Sequence, residues 1–263
     1  MELIAKISKG TKMDQIYIPK HRTNFPIGTY VIIKPIQPPK TQEKPYFYNI
    51  KEIEPLKLQI TNQIINLINN NIQNENIIIT GSFIEPNFNF NDIDILLITN
   101  NKINTNQLQK DIEKQIQIKT HLITLNSKTL IQGLSTDPLY QLMLSKYISK
   151  KRFIHNPKRK INYKLLDLHL LKSKSLINNF DILTGNEKYY LLRNTIAISL
   201  FIDNKKITQE SINKKIETIF NIKIQEIKNN LLEKSDFLKK YKAIHNQTLN
   251  KILKEIKNAP KQE

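Results

Sequence analysis

Residues Ile77–Thr99 read IIITGSFIEPNFNFNDIDILLIT, and their order decides the fold. The apolar run from Ile77 predicts a buried strand, Gly81 and Ser82 a small-residue turn, and Phe83 to Asn91 a polar loop. After the loop, the apolar residues to Thr99 predict a second strand that opens with Asp92 and Asp94. One residue separates these two aspartates, so on a strand both side chains leave the same face while Ile93 leaves the other. Carboxylates held that close repel unless a cation lies between them. Mg²⁺ takes one or two carboxylates plus phosphate oxygens, and a glycine-serine turn after a strand offers N–H groups to those phosphates. The arrangement predicts a metal-nucleotide site; its alternative is a loop whose aspartates only cap or solvate a turn.

The segment resembles the signature of the DNA polymerase β-like nucleotidyltransferase superfamily, especially its small archaeal and bacterial members. That signature is glycine-serine, a loop, then acid-x-acid on a strand, carried here by Gly81, Ser82, the loop Phe83 to Asn91, and Asp92, Ile93, Asp94. The resemblance implies an α+β fold with a nucleotidyltransferase-like mixed sheet and flanking helices. It also implies Mg²⁺-dependent transfer of a nucleoside monophosphate from a nucleoside triphosphate to a hydroxyl acceptor on nucleic acid or protein. Asp92 and Asp94 would be the catalytic metal ligands, and Gly81 and Ser82 the nucleotide-binding turn.

A chain of 263 residues with 39% hydrophobic residues can bury real cores as one large domain or two to three small ones. There is no cysteine, which excludes disulfides and thiolate metal sites, and the five histidines show no zinc-ligand spacing. No apolar run is long enough to span a membrane and MELIAKISKG lacks a signal-peptide core, so the expected location is the cytoplasm. The net charge of +18 points to polyanionic partners, DNA or RNA. Because lysine, isoleucine and asparagine dominate the whole chain, a biased coding composition would also give that charge.

Residues 1–36 carry two β-rich runs, Gln15 to Ile18 and Tyr30 to Lys34, around Pro19, Pro26 and Gly28, and predict a small β-module. So short a unit needs a partner surface, so a homodimer through it, or docking on the rest of the chain, is expected. Ile18, Pro19, Lys20, Arg22, Gly28, Val31 and Ile33 resemble the AbrB-like swapped-hairpin DNA-binding family, although the step from Lys20 to Arg22 is shorter than that family's usual spacing. The resemblance implies interleaved hairpins and makes Lys6, Lys9, Lys12, Lys20 and Arg22 candidate DNA-binding residues; the alternative is a dimerisation or docking module with solvating lysines.

Residues 37–55 fall in a proline-rich stretch that predicts a linker, with Tyr46, Phe47 and Tyr48 either stacking on a base or anchoring it to a neighbouring domain. In residues 56–155, Ile60, Ile64, Leu67 and Ile68 predict a helix, Asn104 to Gln115 another, and Ile116 to Leu125 a strand. By the resemblance, that strand would carry the third carboxylate, but no acid occurs between Glu113 and Asp137. It offers Lys119, Thr120 and His121 instead, and His121 is a possible base or simply a packed or surface histidine. Asp137 and Pro138 predict a helix start with Leu139, Leu142, Met143 and Tyr147 on its apolar face. The basic cluster Lys150 to Lys160 reads as a phosphate-binding edge or a charged linker.

Residues 161–257 predict an α-helical bundle. Leu165, Leu168, Leu171 and Leu176 mark one helix and Tyr189, Leu192, Ile196 and Leu200 the next, with Gly185 read as a helix end, followed by Gln209 to Phe220 and Asp236 to Lys257. The chain thus reads as a β-module, a transferase-like core and a helical domain. Its expected function is nucleotidyl transfer. A non-catalytic nucleotide-sensing or DNA-binding regulator, antitoxin-like, on a degenerate core is the competing expectation.

Overall fold

Two short strands come first among the described residues: β1 (Ile7–Ser8) pairs antiparallel with β2 (Gln15–Ile16), Ile7 facing Ile16 and Ser8 facing Gln15. They belong to the first of two compact units, Met1–Gln42, the second being Glu43–Glu263. The structure is a computed structural model and describes residues 7–17, 26–28, 30–31, 44–155 and 157–258. Ile18, Pro19, Lys20, Arg22 and Ile33 lie outside the described residues, and Tyr30 and Val31, expected in a strand, have no strand conformation.

The second unit is built on a mixed five-stranded sheet. In chain order its first part runs β3 (Tyr46–Tyr48), α1 (Pro55–Asn71), β4 (Asn76–Thr80), a single 3₁₀ turn Ser82–Ile84 and β5 (Ile93–Ile98). Then come α2 (Thr105–Ile116), β6 (Thr120–Leu125), α3 (Ser127–Thr136), α4 (Pro138–Met143) and β7 (Tyr147–Ser149). The sheet order is β3-β7-β4-β5-β6, antiparallel throughout except for the parallel β5–β6 pair. The run Ile77–Ile79 shows no polar alternation because both faces of β4 are covered. Ile77 and Ile79 pack with Ile64, Ile68 and Ile112 from α1 and α2, whereas Ile78 packs with Leu96, Leu130 and Leu134 on the α3 side.

Three expectations are corrected here. Tyr46–Tyr48, read as linker, is the edge strand against β7, and Tyr48 stacks on Tyr147 with ring centroids 4.3 Å apart. Tyr147 itself is not on the α4 face, because the helix ends at Met143 and the Thr80 hydroxyl bonds the carbonyls of Met143 (2.6 Å) and Lys146 (3.0 Å), turning the chain into β7. Ile116 closes α2 instead of opening β6; Gln117 is left-handed at φ 58° and stops the helix, so the strand begins at Thr120.

The remaining helices are α5 (Tyr163–Ser173), α6 (Ser175–Asn178), α7 (Gly185–Ile202), α8 (Gln209–Phe220), α9 (Ile224–Lys228) and α10 (Lys234–Asn258). Their core includes Leu142 of α4, and Asp137, which caps α4, pairs with His169 of α5 at 3.2 Å. The helices and the sheet therefore form one compact unit, and the expected break between 155 and 161 is not a boundary. Gly185 begins α7 instead of ending a helix: Thr184 and Glu187 form a capping box, and a Cβ on Gly185 would overlap the carbonyls of Ile227 and Lys228.

Leu165, Leu168, Leu171 and Leu176 do not share one buried face, because a lysine at 174 separates α5 from α6 and the face that packs inward carries Leu166 and Leu170. Leu168 and Leu171 are exposed. Leu170→Ala is expected to lower stability by about 2–5 kcal/mol, and Leu168→Ala to stay within about 0.5 kcal/mol. Urea unfolding of both variants checks the assignment, and equal losses would contradict it.

Candidate functional site

The last residue of β4, Thr80, pairs with Asp94 near the start of β5, and Asp94 pairs with His121 on β6. Directly paired residues in a sheet point to the same face. The three side chains thus form a row across the sheet end from which Gly81 and Ser82 leave β4. His121 Nδ1 lies 3.3 Å from Asp94 Oδ1, with the imidazole largely exposed. Gly81 has φ 84° and ψ −158°, and a Cβ there would overlap Asp94 Oδ2, so only glycine lets the turn lie against the carboxylate. Ser82, the first residue of the 3₁₀ turn, is exposed.

Asp92 is exposed and lies just before β5, not within it, while Ile93 is fully buried on the α1 and α2 side. Burial pushes the Asp94 carboxyl above the ordinary carboxylate range; the hydrogen bond with His121 opposes this and the charge of Asp92 adds to it. An acid whose pKa is raised by folding contributes stability that is complete below its unfolded pKa, about 3.9, and is lost as pH rises through the raised value. Asp94→Asn is therefore expected to melt higher than wild type at neutral pH in chelator, with the difference shrinking as pH falls toward about 4. Thermal unfolding across that range measures it, and a lower midpoint at neutral pH would contradict the burial argument.

The loop between Ser82 and Asp92 is held from below by residues that no motif indicates. Lys57, in the first turn of α1, has no exposed surface. Its ammonium donates to the carbonyls of Glu85 (2.5 Å) and Asn87 (2.6 Å) and pairs with Glu54 at 3.1 Å. Glu54 in turn accepts the Asn87 N–H at 2.7 Å, and the rings of Phe88 and Phe90 lie 5.1 and 5.7 Å from the ammonium. On the other side Lys146 pairs with Glu85 at 2.9 Å. The spacing of Glu54 and Lys57 signals an ion pair on a helix, but nothing in the sequence signals that it is covered by the loop.

Among the described residues no group of three or more His, Asp or Glu side chains could by itself hold a metal ion. Asp92 and Asp94 fit a metal that brings phosphate oxygens with it, since Mg²⁺ then needs only one or two carboxylates. Lys9 and Lys12 are exposed in the connection between β1 and β2; Lys6, Lys20 and Arg22 lie outside the described residues. Among the described residues no helix is long and apolar enough to cross a membrane. Comparison of the chain with protein-family models, with curated proteins and with solved structures gives no match.

Proposed function

We propose that the chain is a nucleotidyltransferase of the polymerase β-like type that moves a nucleoside monophosphate from a nucleoside triphosphate to a hydroxyl acceptor. One observation carries the reading: Asp94 stands between the Gly81 turn, which touches its carboxylate, and His121, which pairs with it across parallel strands. In this reading Mg²⁺ bound by Asp92 and Asp94 supplies charge neutralisation for the triphosphate. Gly81 and Ser82 present backbone N–H groups to the phosphates, and the braced loop keeps both aspartates beside them. If His121 donates its Nδ1–H to Asp94, its Nε2 is the basic nitrogen, placed to accept the acceptor's hydroxyl proton. The acceptor oxygen then bonds to the α-phosphorus as the bond to pyrophosphate breaks.

In this proposal residues 1–36 dimerise the chain and add basic surface for DNA or RNA, and the protein works in the cytoplasm. Label transfer from α-labelled nucleoside triphosphates, with protein, tRNA and DNA offered as acceptors, tests the activity. Label on one acceptor, lost in Asp94→Asn, is expected. The second reading, a nucleotide-sensing regulator without catalysis, is favoured by a histidine standing where the resemblance calls for an acid. Retained nucleotide binding with no transfer to any acceptor would select it.

A further inference from the structure

A cavity of about 460 Å³ opens beside the sheet and is bounded on one side by an aromatic wall. Tyr48 and Tyr147, stacked at 4.3 Å, begin that wall, and Phe153 and His155, with ring centroids 5.1 Å apart and planes 30° from parallel, continue it. Tyr147 packs on the same sheet face as Ile78 and Leu96, which is also the face of Asp94, since residues 94 and 96 alternate with 95 along β5. Gly81, Ser82, Asp92 and Asp94 nevertheless do not line the cavity. The Thr80 hydroxyl holds the carbonyls of Met143 and Lys146 at the sheet end next to Asp94, and Leu144 and Ser145 from that same turn line the cavity.

Three features state what the cavity would accept. Tyr147 donates to the Phe153 carbonyl and Tyr48 accepts the Phe153 N–H, both at 2.7 Å, so of the two hydroxyls only that of Tyr48 keeps its proton to donate, and the wall offers mainly ring surface. Arg159 and Lys206 line the cavity, and among the described residues no carboxylate does. Arg159 is held by the Lys205 carbonyl at 2.7 Å and lies over Phe201, while Lys206 is exposed. Finally, His155 has an Nδ1 that is shielded from solvent and has no hydrogen-bond partner among the described residues, and burial lowers the pKa of this imidazole. That nitrogen has no surface open to the cavity, so His155 offers its ring there and not a hydrogen-bonding group. Aromatic surface, fixed positive charge and a lack of acids together match a flat ring that carries a negative group.

We propose that this cavity binds a planar heteroaromatic ring bearing an anionic group, the chemistry of a nucleotide, at a site independent of Asp92 and Asp94 and needing no metal. The ring would lie against the wall formed by Tyr48, Phe153 and His155, and the anion near Lys206. A free mononucleotide and one nucleotide of a single strand share that chemistry. Calorimetry on the full chain in chelator, with AMP, inorganic phosphate and a single-stranded RNA hexamer, tests the proposal. AMP is expected to bind saturably without metal, inorganic phosphate not to bind, and affinity for AMP to fall at least about tenfold in His155→Leu and in Lys206→Glu while Asp94→Asn keeps it. Tighter binding of the hexamer than of AMP assigns the site to a strand, and equal or weaker binding to free nucleotide. Lys206→Glu changes an exposed side chain, so it remains a fair test if His155→Leu fails to fold. No AMP binding in chelator, or binding lost in Asp94→Asn and kept in both cavity variants, overturns the proposal.

Discussion

Gly81→Ala is expected to remove nucleotidyl transfer and to weaken the fold. The backbone at Gly81, φ 84° and ψ −158°, lies in a region that residues with a Cβ essentially never adopt, and forcing one there costs about 1–3 kcal/mol. The methyl group would also overlap Asp94 Oδ2, so either the turn lifts or the carboxylate swings away from His121. A displacement of about 1 Å at a reacting centre can cost about 10²-fold in rate, so the loss of activity should far exceed what the loss of stability explains. Transfer rates measured well below the melting temperature of the variant separate the two effects. Full activity in a folded Gly81→Ala protein would mean that Asp94 does not act from this position.

Lys57→Met should destabilise the protein by about 1–3 kcal/mol, the usual cost of leaving part-buried hydrogen-bond acceptors without their donor. The substitution keeps the aliphatic length but leaves the carbonyls of Glu85 and Asn87 without their donor and Glu54 without its cation. Because both carbonyls belong to the loop that leads into Asp92, the loop is expected to open first. Hydrogen exchange should then rise at Asn87 to Asn91 before the sheet amides respond. An unchanged unfolding midpoint would contradict the burial of Lys57.

The sheet around Ile77–Thr99 was legible in sequence because apolar runs bounded by a glycine turn and a carboxylate pair leave few other structures open. What the pattern could not show was pairing between distant segments. His121 faces Asp94 only through the parallel register of β5 and β6, which depends on α2 ending at Gln117. In the same way, β7 is three residues placed between β3 and β4 by bonds from Thr80, too short for any periodicity to announce. Leu165, Leu166, Leu168, Leu170 and Leu171 offer two possible apolar stripes, and only packing against α7 and α10 selects the one with Leu166 and Leu170. At Gly185 the signal was present: the Thr184 to Glu187 spacing is that of a capping box and marks a helix start.

ATP binding measured by calorimetry with Mg²⁺, with chelator, and for Asp94→Asn with Mg²⁺ tests the metal-nucleotide site most directly. Any metal-independent binding at the cavity beside Tyr147 is first removed with Lys206→Glu as the common background. In that background the site at Gly81, Asp92 and Asp94 predicts saturable binding with Mg²⁺ and at least about a tenfold loss in each of the other two cases, since two carboxylates without a cation repel the triphosphate. Equal affinity in all three would contradict it.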